Sequence, residues 1–336
     1  IFPSGRTGMQ MRQTYGVQLQ QLTTRMFRKH KARTFGLVRA SHAGAQSLPY
    51  VLYSDSYDHR DYVTALCNSG FSGILWCPEV RIAHSAEEWI RRFQTAVFSP
   101  LMQLNAWSDG TKPWSYPEIE GVIRDQIRLR IRLSPYLYSA FARYRRDGTP
   151  PFRAMALDAS PETLPQHLSG QVDATKNPYA LPKSTDTRDQ YMMGDCLLVA
   201  PVFAGQTERQ IILPPGNWYD FYSGAYAGNG ETITVTARLE TIPVFVKDGG
   251  ILPLLPEDAD LDQIPTRLDI RHYGRSGGQF LLHSDDGETW GYETGDYPLQ
   301  ELRVTPPRNG LLGDTVRHSG KADWLCENLS WRFMSP

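Results

Sequence analysis

Three short apolar runs in the first part of the chain each lead directly into charged residues. The runs span residues 35–38, 49–53 and 73–77, and they lead to Arg39, Asp55 and Glu79. Four to six apolar or aromatic residues before a charge are typical of a buried parallel strand that ends at a site. In a (β/α)8 barrel the catalytic groups lie at the carboxyl ends of the strands, so these three side chains are expected to face one pocket.

Helical patterns alternate with these strands. Helices are expected over residues 9–34, 60–68 and 86–94, and a further strand is expected over residues 100–105. Residues 118–146 form a long amphipathic pattern that Pro135 should kink or split, since proline disrupts a helix interior. Strands that alternate with short helices favour parallel β/α units.

The pattern changes after residue 190. Short strands are expected over residues 197–203, 209–213, 232–236 and 242–246, and, beyond a linker at 257–265, over 267–271, 278–282 and 291–292. Turns rich in Gly, Pro and Asp separate them, which is typical of antiparallel β-sandwiches. The pattern therefore predicts a β/α domain followed by two small β domains.

Composition narrows the class of protein only slightly. The 336 residues carry a net charge of −1 and are 40% hydrophobic, which is ordinary for a globular protein and gives no electrostatic reason to expect a nucleic-acid or membrane partner. The cationic run at residues 28–33 suits a helix C-terminus, with a nucleic-acid patch as the alternative. An aromatic content of 11% is compatible with sugar binding, because flat rings stack on sugar C–H faces. The four cysteines are expected to be buried free thiols rather than disulfides, and no apolar run is long enough to predict a transmembrane helix.

Asp55 is the first acidic residue in the chain and the best candidate for acid chemistry. Glycoside hydrolysis uses two carboxyl groups that flank the scissile bond, one of which acts as a general acid. Asp55 follows a strand between Tyr53 and Tyr57, where partial burial would suit that role. Asp58 is an alternative acid, whereas Asp61 is expected to face solvent on the following helix.

Other polar residues near these strand ends allow two interpretations each. Arg39 could bind sugar hydroxyls or a carboxylate, or it could form an ion pair inside a barrel. Glu79 and Arg81 would point the same way from a strand, where an ion pair is the alternative to a binding role. His59 could be a base or a polar residue at a helix start. The histidines suggest no metal site, and no nucleotide-binding or serine-hydrolase motif predicts a cofactor or another chemistry.

Two motifs resemble glycoside hydrolase family 31, the α-glucosidase family. They are Arg-Ala-Ser-His-Ala-Gly at residues 39–44 and Tyr-Ser-Asp at residues 53–55. Members of the family carry Arg-Ser-x-x-Ala-Gly and then Trp-x-Gly-Asp, whose Asp is the general acid/base. The motifs align without a gap, which selects Asp55, although Leu52 and Ser54 replace the usual Trp and Gly. Further matches lie at residues 132–138, 193–202, 215–220 and 285–287, so that the resemblance spans roughly residues 5–297.

The resemblance also implies which residues contact the sugar. Arg39 inherits the position of the family arginine in subsite −1, and Glu79 replaces the Asp that ends the next strand. Gln103 and Asn105 stand in for an Arg and a His, and Trp76 in the matching strand is a further candidate. The resemblance thus implies an altered sugar subsite, an α-glucan or oligosaccharide substrate and no cofactor.

In functional terms the resemblance implies a retaining hydrolase of α-glucosidic bonds. The family's nucleophile motif is absent, so the nucleophile is expected upstream of residue 1 and the chain alone is expected to be inactive. The fold implied is the C-terminal half of a (β/α)8 barrel over residues 1–187, then β-sandwich domains over 188–258 and 259–336. Open sheet edges in such a half-barrel predict aggregation of the isolated chain.

Two other functions stay open. The motifs are similar to a bacterial-type subgroup that includes α-glucosyltransferases, and the departures from family usage allow a non-catalytic carbohydrate-binding homologue. The sequence indicates neither the compartment nor the oligomeric state.

Overall fold

The computed structural model describes residues 2–53, 58–77, 79–105, 110–158, 189–260, 266–306, 312–319 and 326–334. The helices of these ranges are α1 (Gly8–Lys29), α2 (His59–Ser72), α3 (Ala86–Val97), α4 (Glu120–Arg132), α5 (Ser134–Asp147) and α6 (Met155–Asp158). The strands of the first part are β1 (Gly36–Val38), β2 (Tyr50–Leu52) and β3 (Phe152–Ala154). The strands that follow are β4 (Tyr191–Met193), β5 (Leu197–Val199), β6 (Glu208–Ile212), β7 (Asn217–Asp220), β8 (Tyr226–Asn229), β9 (Thr232–Thr236) and β10 (Val244–Lys247). The last strands are β11 (Ile251–Leu254), β12 (Arg267–His272), β13 (Gly278–His283), β14 (Leu299–Thr305), β15 (Leu312–Ser319) and β16 (Asn328–Phe333).

The first part of the chain contains parallel strand segments; a loop joins β1 to β2, and α2 and α3 lie between the later segments. β1 pairs in parallel with β2, Leu52 bridges in parallel to Trp76, and Val80 bridges in parallel to Leu104. The apolar runs therefore lie beside one another in the order that the sequence predicted. The strand expected over residues 100–105 is shorter than predicted, since only the bridge at Leu104 forms.

The long helix expected over residues 118–146 is divided in two, as Pro135 predicted. α4 ends at Arg132, and α5 begins at Ser134 with the proline in its first turn. Proline lacks an N–H group and fits the first turn of a helix, where that group has no partner inside the helix. The Leu255 amide donates to the Arg132 carbonyl at 2.9 Å, so the break also provides a contact with the β domains.

A six-stranded antiparallel sheet, in the order β3-β4-β5-β10-β7-β8, packs against the helices. Side chains alternate between the two faces of a strand. In β5, Leu197 and Val199 belong to the large core shared with the helices, whereas Leu198 packs in a second core with Trp218 and Phe245. The two-stranded sheet of β6 and β9 covers this second core, so the six-stranded sheet is buried on both faces.

Two three-stranded sheets, β11-β12-β16 and β13-β14-β15, form the last part of the chain. The antiparallel prediction is wrong for one pair, because β12 and β16 run in parallel from Arg267 opposite Asn328 to His272 opposite Phe333. The strand predicted at residues 291–292 is also wrong. These residues lie in a 3-10 turn, Gly291–Thr294, which Gly295 ends in a left-handed conformation.

Two strand pairs cross the domain limits expected from the sequence. β3 lies within the range expected for the barrel, yet it pairs with β4 in the six-stranded sheet. β11 lies within the range expected for the proximal β domain, yet it pairs with β12. The β/α part and the two β parts are therefore joined through shared sheets, and the domain limits stay a prediction.

The four cysteines are buried thiols rather than disulfides, as predicted. Burial raises the pKa of the Cys67 and Cys196 thiols to about 12, so both stay protonated and unreactive at neutral pH. None of the helices in the described ranges has the length and apolar character needed to cross a membrane.

Candidate active site

The candidate site lies at the carboxyl ends of the parallel strand segments. Arg39 follows β1 directly, and Trp76 is half-buried beside the end of β2, where its backbone bridges Leu52. Asp55, the candidate acid, lies outside the described residues, which stop at Tyr53 and resume at Asp58.

Glu79 and Asn105 meet across two neighbouring segments. The Asn105 side-chain amide donates to Glu79 Oε1 at 2.8 Å, and the Glu79 residue is only 4% exposed. Backbone hydrogen bonds around Val80 hold this register, from the Val80 amide to the Gln103 carbonyl and from the Asn105 amide to the Val80 carbonyl. The donor in this pair is a neutral amide. The Glu79 carboxyl group is therefore held in place without a positive charge from Asn105 or Gln103.

Two buried acceptor atoms lie on the segment that carries Asn105. Gln103 Oε1 and Asn105 Oδ1 have no hydrogen-bond partner among the described residues. A buried acceptor without a donor costs free energy, which a bound ligand or a water that donates to it would recover. Hydroxyl groups, which sugars carry on almost every carbon, are donors of this kind.

The Arg39 guanidinium lies over an aromatic ring. Its central carbon is 4.9 Å from the centroid of the Tyr53 ring, within range of a cation–π interaction. The N–H donors of a guanidinium lie in the plane of the group in a fixed fork. The contact places these donors at the end of β2, where the chain continues toward Asp55.

Asp58 serves as a helix cap. Its carboxylate accepts hydrogen bonds from the backbone amides of Arg60 at 2.8 Å and Asp61 at 3.0 Å, and it forms the N-cap of α2. These amides, led by that of Asp61, lower the pKa of Asp58. A carboxyl group held in its ionised form is a poor general acid, which argues against the alternative acid. Asp61 is exposed on α2, as predicted.

His59 is a buried neutral group rather than an exposed base. Its Nε2 lies 2.7 Å from Thr95 Oγ1, and the Thr95 hydroxyl donates to the Arg91 carbonyl at 3.2 Å. Because a hydroxyl has one hydrogen, Thr95 accepts from the imidazole, which assigns the ring proton to Nε2. Burial, assisted by the nearby Arg92, lowers the pKa of His59 to about 3. The sequence placed His59 at a helix start but gave no signal for this burial.

Across the described residues, no group of three His, Cys, Asp or Glu side chains is placed to hold a metal ion.

Two sequence-family models match the chain in succession. The first, described as the glycosyl hydrolases family 31 TIM-barrel domain, matches residues 2–140, and the second, described as the glycosyl hydrolase family 31 C-terminal domain, matches residues 148–252. Between them they cover the parallel segments, the candidate site and the six-stranded sheet.

Curated relatives match most of this chain but less than half of their own length. Alpha-glucosidase 2 of Bacillus thermoamyloliquefaciens is 28% identical, over 91% of this chain and 38% of the relative. The alpha-xylosidase of Saccharolobus solfataricus is 32% identical over 82% and 39%, and the isomaltosyltransferase of Sporosarcina globispora is 30% identical over 75% and 24%.

Solved structures share the fold. A family 31 alpha-xylosidase from Xanthomonas citri superposes with a TM-score of 0.73 at 25% identity, over 92% of this chain and 35% of the other. A family 31 dextranase from Flavobacterium johnsoniae, complexed with glucose, superposes with a TM-score of 0.70 at 27% identity, over 87% and 37%.

Proposed function

Because the chain belongs to glycosyl hydrolase family 31, we propose that it forms part of a longer enzyme that hydrolyses α-glucosidic bonds in oligo- or polysaccharides. Its curated relatives are two and a half to four times as long as the part that it matches. The activity proposed here is therefore that of a protein in which this chain supplies one side of the active site.

In this proposal the chain forms the C-terminal half of a (β/α)8 barrel, followed by two small β-sandwich domains. The parallel order of β1, β2 and the segments at Trp76 and Leu104 supports the half-barrel. The sheets on either side of the second core support the proximal sandwich. The limits proposed for the three parts are the ones predicted from the sequence, which are residues 1–187, 188–258 and 259–336.

Asp55 is the general acid/base in the proposed mechanism. It first gives its proton to the glycosidic oxygen while a carboxylate on an upstream barrel strand attacks the anomeric carbon, which forms a glycosyl ester and releases the aglycone. Asp55 then takes a proton from water as the water oxygen attacks the same carbon and the ester bond breaks. Asp58 is already committed to capping α2, so it does not compete for this role.

The contact between Glu79 and Asn105 is the observation that carries the proposed sugar site. Two side chains that are 26 residues apart meet at neighbouring strand ends and present a carboxylate and an amide in one place. We propose that these two groups, together with Gln103 and Arg39, bind the glucosyl hydroxyls. The half-buried Trp76 offers a ring for the apolar face of a sugar.

The acid role is tested by Asp55→Asn in the full-length protein. Hydrolysis of a maltooligosaccharide, whose leaving group needs a proton, should fall by about 10²- to 10⁴-fold. Hydrolysis of α-glucosyl fluoride should fall far less, because fluoride leaves without full protonation. Asp58→Asn is the matched control and should keep the ratio of the two rates. Full turnover of the maltooligosaccharide by Asp55→Asn would contradict the proposal, and absence of turnover in the unmodified protein would favour a non-catalytic homologue.

Glucosyl transfer is the second candidate, since one relative is named an isomaltosyltransferase. The two reactions share the first step and differ in whether water or a sugar hydroxyl attacks the glycosyl ester. Product analysis with a maltooligosaccharide donor separates them. Free glucose as the main product supports hydrolysis, whereas longer or re-linked oligosaccharides support transfer.

A further inference from the structure

Three consecutive residues that follow the acid/base segment are each fixed by a different contact. Asp58 caps α2 through its carboxylate, His59 is hydrogen-bonded to Thr95 of α3, and the Arg60 guanidinium carbon lies 4.0 Å from the centroid of the Phe203 ring. Asp55 precedes this group by three residues in the sequence. The start of α2 is therefore held on several sides within one turn of helix.

The contact between His59 and Thr95 is directional. The imidazole donates from Nε2 to the Thr95 hydroxyl, which in turn donates to the Arg91 carbonyl in the same helix. The ring cannot rotate about its side-chain bonds without losing a buried hydrogen bond. This chain of two hydrogen bonds ties the first residue of α2 to the middle of α3.

Phe203 brings the six-stranded sheet into the same cluster. It lies in the connection between β5 and β6, is 6% exposed, and meets His59 edge to face with the ring centroids 4.8 Å apart. Two hydrogen bonds hold the connection that carries Phe203. The Phe203 amide donates to Gln206 Oε1, and the Gly205 amide donates to Glu87 Oε1 of α3. A β-domain side chain thus contacts both His59 and Arg60.

We propose that His59 and Phe203 are positioning residues for the acid/base, so that the proximal β domain takes part in catalysis. They fix the start of α2, which follows Asp55 by three residues in the sequence, so that a displaced start of α2 is expected to displace the acid/base as well. Proton transfer requires placement within hydrogen-bond distance, and a shift of about 1 Å can cost a factor of 10² in rate. The inference rests on the proposed role of Asp55.

The test measures rates in the full-length protein with two donors. His59→Leu removes the hydrogen bond, Thr95→Val removes its acceptor with little change of shape, and Phe203→Leu removes the ring. For each variant kcat on a maltooligosaccharide should fall about tenfold or more, with KM nearly unchanged, whereas kcat on α-glucosyl fluoride should change less than about threefold. His59→Gln should restore most of the loss, since its amide nitrogen can also donate to Thr95.

Asp195→Asn is the control for a general loss of domain contact. Asp195 pairs with Arg143 of α5 rather than with a residue of α2. This variant should lower both rates equally or leave both unchanged. Equal losses on the two donors in the His59, Thr95 and Phe203 variants, or no losses, would overturn the inference.

Asp55→Asn, measured in parallel, separates the two proposals. If it shows no preference for the fluoride, the proposed function fails. If it shows that preference and the positioning variants do not, only the positioning role fails.

Hydrogen exchange of this chain adds a measurement that does not depend on activity. Amides at the start of α2 should exchange faster in Thr95→Val than in Asp195→Asn, and equal exchange would count against the inference.

Discussion

Asn105 holds the buried carboxyl group of Glu79 as well as lining the candidate site, because its amide donates to Glu79 Oε1 at 2.8 Å. Asn105→Ala should lower the free energy of unfolding of this chain by about 1.5–3 kcal/mol, since a nearly buried carboxylate would lose its donor. Urea denaturation measures the change. Asn68 is exposed on α2, so Asn68→Ala should change stability by less than about 0.5 kcal/mol. Equal effects of the two substitutions would contradict the contact.

Burial of His59 should make the folded chain less stable as the pH falls. The folded protein holds the pKa of His59 at about 3, chiefly by burial and also through Arg92, against 6.5 for an ordinary histidine. Between these values the unfolded chain binds a proton that the folded chain does not, so stability falls as the pH falls below about 6.5. Each pH unit in this window costs up to about 1.4 kcal/mol from this group.

His59→Gln keeps a hydrogen-bond donor and cannot titrate, so it isolates this effect. The free energy of unfolding of the variant should depend less on pH between about 6 and 4 than that of the unmodified chain. The measurement is urea denaturation at a series of pH values. Parallel curves for the two proteins would show that His59 titrates normally.

At the scale of elements, the cationic end of α1 forms a junction between the helices and the last β sheets. Arg28 makes two hydrogen bonds of 2.8 Å to Glu293, and Arg33 and Tyr138 both contact the Asp285 carboxylate. The sequence predicted that these cations suit a helix C-terminus, with a nucleic-acid patch as the alternative. Arg28 and Lys29 lie in the last turn of α1, as predicted. Arg28 and Arg33 also pair with acidic residues that lie more than 250 residues away in the chain.

Asp285→Asn tests this junction. Burial opposes ionisation of Asp285, but hydrogen bonds with His283, Tyr138 and Arg33 prevail and hold its pKa below the ordinary range. The substitution should lower the free energy of unfolding at pH 7 by about 3 kcal/mol, as expected when one partner of a buried pair is removed. Because the pair stabilises the fold above the unfolded pKa of about 3.9, the difference should shrink as the pH falls toward 3.

The control for this prediction is Asp125→Asn. Asp125 pairs with Arg128 on α4, but its side chain is 73% exposed. An exposed pair of this kind contributes little to stability, so the substitution should have no measurable effect at either pH. A loss that is equal at pH 7 and pH 3 for Asp285→Asn would contradict the assigned ionisation.

Local sequence patterns predicted where helices and strands occur better than they predicted which strands pair. Pro135 divided the long helix because its effect depends only on the adjacent backbone. The parallel pairing of β12 with β16 depends on which strands meet across about 60 residues, and no local pattern encodes that. The predicted strand at residues 291–292 is too short to pair and forms a 3-10 turn instead. Pairing direction follows from tertiary packing, which outweighs local preference.

In the whole molecule, too, the sequence predicted the positions of residues better than the contacts between domains. Strand-end positions predicted from single runs brought Glu79 and Asn105 together, because parallel strands end at one edge of a sheet. The contact of Phe203 with His59 could not be predicted, since it joins two domains that the sequence treats separately. The order of the elements is thus readable from the sequence, whereas contacts between domains require the structure.

α1 leaves an apolar stripe exposed on the surface of the molecule. Tyr15, Leu19, Leu22 and Met26 recur at helical spacing, and each is about half exposed or more. Spacings of four, three and four residues place these side chains on one face of the helix. Phe35 is also exposed, and β1 pairs only with β2 among the described strands. An exposed apolar stripe and an unpaired strand edge each favour association.

The chain as given should therefore associate at high concentration. Leu19→Lys combined with Leu22→Lys should reduce both the concentration-dependent increase in mass, measured by light scattering, and the binding of an apolar dye, because two charges interrupt the stripe. The helix should persist, since lysine is a good helix former and both positions are exposed. Gln18→Lys with Gln21→Lys adds the same charge at exposed positions on α1 beside the stripe and should reduce association much less. If both double variants reduce association equally, net charge rather than the stripe controls it, and if neither does, the contact surface lies elsewhere on the molecule.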